Sequence, residues 1–175
     1  MPTETVTKSQ ADTDSLSVHT DRFIVVTNRG PVEYFVTRDD KLKFRRGSGG
    51  VVTALSGIVN QVNSTWVALA MTEGDRRALQ ESQDGLLESP APAMKVNLRY
   101  VAVPKTVYRK HYDIMSNRIL WFTQHYLLEQ VADVFPTEKL QDAWDNGYVR
   151  VNEVIANAVC EEIERKTSKA LVMLH

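Results

Sequence analysis

Residues 23–55, FIVVTNRGPVEYFVTRDDKLKFRRGSGGVVTAL, carry the strongest fold signals in this 175-residue chain. The apolar run at 23–26 is typical of a buried strand, and it stops at a turn that places the positive charge of Arg29 at the strand end. A basic stretch at 41–46 then leads to the glycine-rich residues 47–50, and the next residues have the pattern of a helix start. An arginine after a first strand and glycines before a helix are both common ways of holding phosphate. The segment therefore predicts a site for a phosphorylated or nucleotide-linked ligand.

The composition fits one domain with a sizeable core. Hydrophobic residues make up 43% of the chain and charged residues 25%, which is ordinary for a soluble globular protein. The net charge is −1, so there is no overall field to attract nucleic acid or anionic lipid, and anion binding must be local. We therefore expect small-molecule substrates, with no nucleic-acid partner and no membrane.

The single cysteine and the N-terminus indicate a cytoplasmic protein. Cys160 excludes an internal disulfide and suits a reducing compartment, and its apolar helical surroundings predict a role in packing. No apolar run reaches membrane-spanning length, and the N-terminus lacks a secretory apolar core. Residues 1–21 are rich in Thr, Ser, Asp and Gln and predict a disordered tail, which leaves residues 22–175 as the folded domain.

Apolar runs alternate with helical patterns along the rest of the chain. We expect a hairpin with arms 32–36 and 42–44, strands at 65–70, 94–103 and 170–174, and a loop at 81–93. Helices are expected at 50–62, 72–80, 106–115 (ended by Ser116-Asn117), 117–129 as a helix or turn, and 137–160 as an amphipathic pair. Trp66, Trp144 and Tyr148 lie in apolar patterns and are predicted core residues. Such alternation favours an α/β fold with a parallel sheet, whose ligand crevice lies at the carboxyl ends of the strands.

Four ordered blocks of sequence resemble one family, the trehalose-6-phosphate synthases. They are VVTNRGP at 25–31 with GGVVTAL at 49–55, YDIMSNRILW at 112–121 with the following His125-Tyr126, the Trp144 to Ala156 region, and LVMLH at 171–175. The resemblance covers residues 23–175 in order and spacing, which makes it specific. Members of that family are retaining, metal-independent glycosyltransferases with two Rossmann-like domains facing a cleft, the GT-B type.

The resemblance implies an enzyme of which this chain is roughly the first third. The chain would be the Rossmann-like, acceptor-side N-terminal domain, truncated, with the C-terminal donor domain absent. The whole enzyme would transfer glucose from a nucleoside-diphosphate glucose, UDP-glucose in our expectation, to glucose 6-phosphate, forming trehalose 6-phosphate. No metal or other cofactor is expected, the full-length protein could form a homo-oligomer, and this fragment alone should be inactive.

Five residues match ligand-binding positions of the family. Arg29 matches the arginine that binds the acceptor phosphate, and Tyr112 and Trp121 match aromatic residues of the acceptor pocket. Gly49 and Gly50 match the loop whose backbone amides approach the donor diphosphate. Their structural alternatives are a surface ion pair for Arg29, core packing for the two aromatic residues and an ordinary loop for the glycines. No catalytic residue is identified, and the sequence shows no cluster with metal-ligand spacing.

The chain departs from the family in the strand after the first helix. The family pattern Trp-x-Gly-Trp-x-Gly corresponds here to residues 66–71, so that an acceptor-pocket tryptophan falls on Leu69 and the following glycine on Met71. Phe122 also replaces a usual proline. Leucine cannot donate the indole N–H, so discrimination between acceptors should change. A cyclitol phosphate or glycerol 3-phosphate acceptor therefore stays open, as does a non-catalytic remnant module.

Overall fold

The computed structural model describes residues 21–47, 49–131 and 137–175. The predicted disordered tail at 1–21 lies outside these ranges apart from Asp21, so it stays a prediction.

The described residues form a five-stranded sheet and a separate two-stranded hairpin. In chain order the strands are β1 (Arg22–Arg29), β2 (Val32–Val36), β3 (Leu42–Arg46), β4 (Asn63–Leu69), β5 (Leu86–Glu88), β6 (Asn97–Val101) and β7 (Ala170–Leu174). The sheet order is β5-β6-β4-β1-β7, and all neighbours are parallel except β5, which runs antiparallel to β6. The predicted α/β fold is confirmed. The predicted loop at 81–93 was wrong where it contains β5, a three-residue edge strand too short to show periodicity.

Strand β1 lies where the direction of the chain reverses. From β1 the chain moves to β4 and then β6 on one side, and it returns across the sheet to β7 on the other side. In open α/β sheets this reversal creates a crevice at the carboxyl ends of the strands. Arg29 is the last residue of β1 and Leu69 the last of β4, so both lie at that edge.

Alternating side chains of the central strands build a core on each face of the sheet. One core contains Phe23, Val25, Trp66 and Ala68, and the other contains Ile24, Val26, Val67 and Leu69. This two-sided burial explains why the strands read as continuous apolar runs rather than as alternating patterns. Trp66 is 1% exposed, and its indole N–H donates to the Thr27 hydroxyl at 2.7 Å, which satisfies its one polar atom.

The described part of the chain also forms six α-helices. They are α1 (Gly50–Val59), α2 (Glu73–Glu81), α3 (Lys105–Arg109), α4 (Trp121–Gln124), α5 (Thr137–Ala143) and α6 (Arg150–Glu164). A π-helical segment, Lys110–Leu120, joins α3 to α4, and a second, Trp144–Val149, joins α5 to α6. A 3-10 turn at Leu128–Gln130 follows α4.

The predicted helix break at Ser116-Asn117 was wrong. The chain stays helical from α3 through the π-helical segment to α4. The Ser116 hydroxyl donates to the His111 carbonyl at 2.9 Å, so the polar side chain is satisfied within the helix. A serine that bonds back to the preceding turn does not end a helix.

Two predicted packing residues are exposed. Trp144 is 41% exposed and stacks on Tyr148, with ring centroids 5.0 Å apart, instead of entering the core. Cys160 is also exposed. Val159 lies on the buried face of α6. Cys160 is the next residue, so its side chain lies about 100° further around the helix, away from that face.

A buried carboxylate attaches the hairpin of β2 and β3 to the sheet. Asp75 is 2% exposed and accepts from the backbone N–H groups of Tyr34 (2.8 Å), Met71 (3.0 Å) and Thr72 (3.0 Å). The Thr72 hydroxyl caps α2 by accepting from the Asp75 N–H, and it donates to the Tyr34 carbonyl at 2.6 Å. This capping box fixes β2 above the carboxyl edge of the sheet.

Candidate functional site

Arg29 lies exposed at the carboxyl end of β1, next to the end of β4. Its register partner across the two strands is Leu69, after an irregularity between Thr27 and Arg29. The register shift bends β1 immediately before Arg29, which is its last residue. The guanidinium is therefore a fixed positive charge at the crevice, as the sequence predicted.

A cavity of about 240 Å³ connects Arg29 with the glycine-rich turn. Its lining includes Arg29, Gly30, Gly47, Thr72 and Asp75. The Gly47 N–H donates to the Pro31 carbonyl at 2.8 Å, which closes the turn onto the end of β1. Any side chain at Gly47 would clash here, because a Cβ would lie 2.7 Å from the Gly30 carbonyl oxygen. The cavity thus joins the end of β1 to the turn at Gly47, whereas Gly49 and Gly50 are not among its lining residues.

Gly49 and Gly50 form the start of α1, as predicted. Gly49 has φ of 151°, a conformation that residues with a Cβ rarely adopt, and space is open around both glycines. No side chain caps the helix, and its first turn contains no acidic residue. The backbone N–H groups of that turn are therefore available to an anion, and the helix dipole favours one.

Tyr112 and Trp121 occupy different aromatic clusters. Half-buried Tyr112 stacks on Tyr108, with centroids 5.4 Å apart and planes at 16°. Trp121 is 46% exposed and stacks on His125, at a centroid distance of 3.9 Å. Tyr112 belongs to the cluster nearest Arg29, whereas the aromatic contacts of Trp121 are with Phe122 and His125 on its own helix.

Tyr108 and Asn28 belong to the site, and the sequence analysis missed both. The Asn28 side-chain amide donates to the Tyr108 hydroxyl at 3.1 Å, next to Arg29. Burial raises the pKa of the Tyr108 phenol, while the hydrogen bond from Asn28 and the charge of Arg29 act in the opposite direction. The four-residue spacing of Tyr108 and Tyr112 on a helix was a usable signal for the stack.

A larger cavity of about 550 Å³ lies between the carboxyl end of β1, β7 and α6. Asn28, His111, Asn152 and His175 line it, together with apolar residues. Asn28 Oδ1 and His111 Nδ1 are buried without a hydrogen-bond partner, and burial lowers the pKa of His111. Because the His111 ring also contacts the Tyr108 ring, with centroids 6.3 Å apart, it links this cavity to the aromatic cluster beside Arg29.

The described residues contain no group of three or more His, Cys, Asp or Glu side chains placed to hold a metal ion. Across the same ranges, no helix has both the length and the apolar character that crossing a membrane requires. The geometry is that of an α/β domain whose candidate ligand crevice lies at the carboxyl edge of its sheet.

Comparison with known proteins gives the family. The profile of Glycosyltransferase family 20 matches residues 21–175. Alpha,alpha-trehalose-phosphate synthase (UDP-forming) A of Dictyostelium discoideum is 33% identical over 141 residues, which cover 80% of this chain and 17% of that protein. This chain belongs to glycosyltransferase family 20.

Solved structures show the same fold. An E. coli structure described as trehalose-6-phosphate bound with UDP-2-fluoro glucose aligns with a TM-score of 0.57 and 19% identity. An alpha,alpha-trehalose-phosphate synthase (UDP-forming) from Burkholderia xenovorans, in complex with glucose-6-phosphate, aligns with a TM-score of 0.54 and 18% identity. Each alignment covers 88% of this chain and 27% of the other, so the chain spans about a quarter of their length.

Proposed function

We propose that this chain is the N-terminal, acceptor-side portion of an enzyme that transfers glucose from UDP-glucose to glucose 6-phosphate, forming trehalose 6-phosphate. Membership of glycosyltransferase family 20 supports the transferase chemistry, and the names of the relatives support the product and the nucleotide. The observation that carries the proposal is the cavity shared by Arg29 and the glycine turn. Arg29, Gly47 and Val52 of the first turn of α1 all line that cavity.

Arg29 is the proposed ligand of the acceptor phosphate. A guanidinium is a planar fork of donors and matches the oxygens of a phosphate. Tyr112 would contact the sugar from the helix beside it, with its ring oriented by the stack on Tyr108. Trp121 is the proposed outer wall of the acceptor pocket, a role that fits its exposed ring.

The backbone amides at Gly49 and Gly50 are the proposed partners of the donor diphosphate. In the transfer, the bond between the glucose C1 and the diphosphate oxygen breaks, and C1 bonds to an acceptor hydroxyl oxygen, whose proton leaves. The released diphosphate gains negative charge, which amides and a helix dipole stabilise without a metal. The proposal includes no resident cofactor, and it expects the 175 residues alone to bind acceptor without turnover.

Leu69 and Met71 favour a second candidate function, the same chemistry with another phosphorylated acceptor. Leu69 lies beside Arg29 in the sheet, so an apolar side chain occupies a position next to the proposed phosphate ligand. A cyclitol phosphate or glycerol 3-phosphate would be the acceptor. A non-catalytic module would keep the fold and would show no phosphate binding that depends on Arg29.

The proposed compartment is the cytoplasm. Cys160 is a free, exposed thiol, a state that a reducing compartment maintains.

Calorimetric titration of the chain with glucose 6-phosphate tests the assignment of Arg29. Losing a hydrogen bond to a charged group costs about 1.5–3 kcal/mol, so Arg29→Ala should weaken binding roughly 10- to 150-fold. Arg38→Ala removes an equal charge from the exposed end of the hairpin and should leave the affinity unchanged. Equal affinities for the two variants would show that Arg29 does not hold the phosphate. Glucose titrated in parallel separates the phosphate contribution from that of the sugar.

A further inference from the structure

Two consecutive hydrogen bonds connect the buried core to the residue that ends β1. The Trp66 indole N–H donates to the Thr27 hydroxyl at 2.7 Å, and that hydroxyl donates to the Arg29 carbonyl at 2.5 Å. An indole can only donate, so the Thr27 oxygen accepts from it and keeps its own hydrogen for the carbonyl. Trp66 is 1% exposed and Thr27 is 6% exposed, so both side chains are shielded from bulk water. We call this pair of bonds the Thr27 relay.

The Thr27 relay spans a β-bulge in β1. The register partners of Thr27 and Arg29 are consecutive residues of β4, so β1 contains one extra residue, Asn28, between them. A bulge redirects the side chains beside it, and the side chain at the exit of this bulge is that of Arg29. The bond from the Thr27 hydroxyl to the Arg29 carbonyl closes the bulge and fixes the peptide that follows Arg29.

A second buried side chain, Tyr100, holds the residues after Arg29. Its hydroxyl donates to the Val32 carbonyl, and a Cβ at Gly30 would lie only 2.6 Å from the hydroxyl oxygen. Tyr100 is 3% exposed and belongs to the same core as Trp66. The backbone at the exit of β1 is therefore held by core side chains at two carbonyls, that of Arg29 and that of Val32.

The fixed backbone matters because the Arg29 side chain has little else to orient it. The side chain is exposed, and within residues 21–47, 49–131 and 137–175 its guanidinium makes no ion pair or hydrogen bond with another side chain. Its direction therefore depends on the backbone that carries it. A side chain that already points at the ligand loses less freedom on binding, and immobilising one long side chain costs roughly 2- to 12-fold in affinity.

We propose that Thr27 and Trp66 are positioning residues for Arg29. The Thr27 hydroxyl holds the Arg29 backbone in the orientation that presents the guanidinium to a phosphate monoester, and the Trp66 N–H holds the hydroxyl. This inference rests on the proposed function, because it takes Arg29 as the ligand of the acceptor phosphate. It extends that function to two buried side chains that touch no ligand, so that phosphate affinity depends on a hydroxyl on the core side of the sheet.

Calorimetric titration with glucose 6-phosphate tests the Thr27 relay. Thr27→Val has nearly the same shape without the hydroxyl, so it should weaken binding roughly 3- to 10-fold. Thr27→Ser keeps the hydroxyl but loses a buried methyl group, so it should lower Tm and still bind like the parent chain. If Thr27→Val fails to fold, Thr27→Ala gives the same comparison with Thr27→Ser, because it leaves room for a water at the indole N–H.

Ser64→Ala is the matched control for stability. Ser64 is 2% exposed in β4, and its hydroxyl donates to the Val62 carbonyl at 3.1 Å. The variant thus removes a buried bond of the same kind at the opposite edge of the sheet. It should lower Tm without changing the affinity for glucose 6-phosphate. A relay that acted on stability alone would give a different pattern, in which the affinity follows Tm across all the variants.

The outcomes separate the two proposals. If the parent chain does not bind glucose 6-phosphate, or if Arg29→Ala binds it equally well, the proposed function fails, and the positioning role fails with it. If Arg29→Ala weakens binding but Thr27→Val does not, or if Thr27→Ser binds as weakly as Thr27→Val, the positioning role alone is refuted.

Discussion

Replacing Asp75 by Asn should destabilise the chain far more than its conservative chemistry suggests. The carboxylate is buried and accepts three backbone N–H groups, one on Oδ1 from Tyr34 and two on Oδ2 from Met71 and Thr72. An asparagine has one oxygen and one NH₂ group in the same space. Whichever way the amide turns, its NH₂ group faces at least one backbone N–H.

The expected loss follows from these contacts. In the cheaper orientation the asparagine oxygen accepts from Met71 and Thr72, and the Tyr34 N–H is left without a partner at about 1–3 kcal/mol. The two remaining hydrogen bonds change from charged to neutral and weaken by about 1 kcal/mol each. The free energy of unfolding should thus fall by about 3–5 kcal/mol, which lowers Tm by about 6–20 °C for a chain of this size.

Thermal and urea unfolding followed by circular dichroism measure the effect. Glu73→Gln is the matched control, because Glu73 is an exposed carboxylate in the same first turn of α2. It removes the same charge from the helix N-terminus without removing the buried bonds, so its cost should stay below about 1 kcal/mol. Equal losses in the two variants would refute the account of Asp75 as the buried attachment of the hairpin.

Three further predictions concern a histidine, a glycine and the thiol. Because burial lowers the pKa of His111, the unfolded chain binds a proton on this imidazole more readily than the folded chain does. Tm should therefore fall as the pH drops below about 6.5. His111→Phe should reduce this pH dependence, and a Tm profile equal to that of the unchanged chain would contradict the assignment. Gly47→Ala should cost about 1–3 kcal/mol in urea unfolding, because its Cβ would meet the Gly30 carbonyl, whereas Gly57→Ala in α1, where space is open, should be neutral or stabilising. Cys160 should react with a thiol reagent in the native state at close to its rate in urea; strong native protection would show that the side chain is covered.

The parts of the site that depend on neighbouring residues in the chain were predictable from the sequence. An apolar run followed by Arg29, and glycines followed by a helical pattern, report local backbone conformation directly. A shared site for these two elements was inferred from their closeness in sequence and stays a prediction: Gly47 lines the cavity of Arg29 and its N–H donates to the Pro31 carbonyl, but Gly49 and Gly50 do not line that cavity.

Contacts between distant residues were not predictable in the same way. The bond from Asn28 to Tyr108 joins residues 80 positions apart, and neither residue has a local pattern that reports the other. Periodicity placed Trp144 on a common face with Tyr148, but it could not tell which part of that face the rest of the fold covers. The π-helical segment at Trp144–Val149 also changes the residues per turn, so a spacing of 3.6 loses its phase there.

The side chain of Arg22 has a consequence for how the chain folds during synthesis. This residue begins the central strand, is 5% exposed, and donates to carbonyls of Glu162, Ile163 and Lys166, which lie 140 to 144 residues later. Its backbone also pairs with Ala170 in β7. During synthesis β1 must therefore wait for roughly 140 further residues before its second edge and the Arg22 guanidinium find partners. Such long-range closure slows folding. Until it occurs, β1 exposes an apolar edge that aggregates with other chains unless a chaperone binds it.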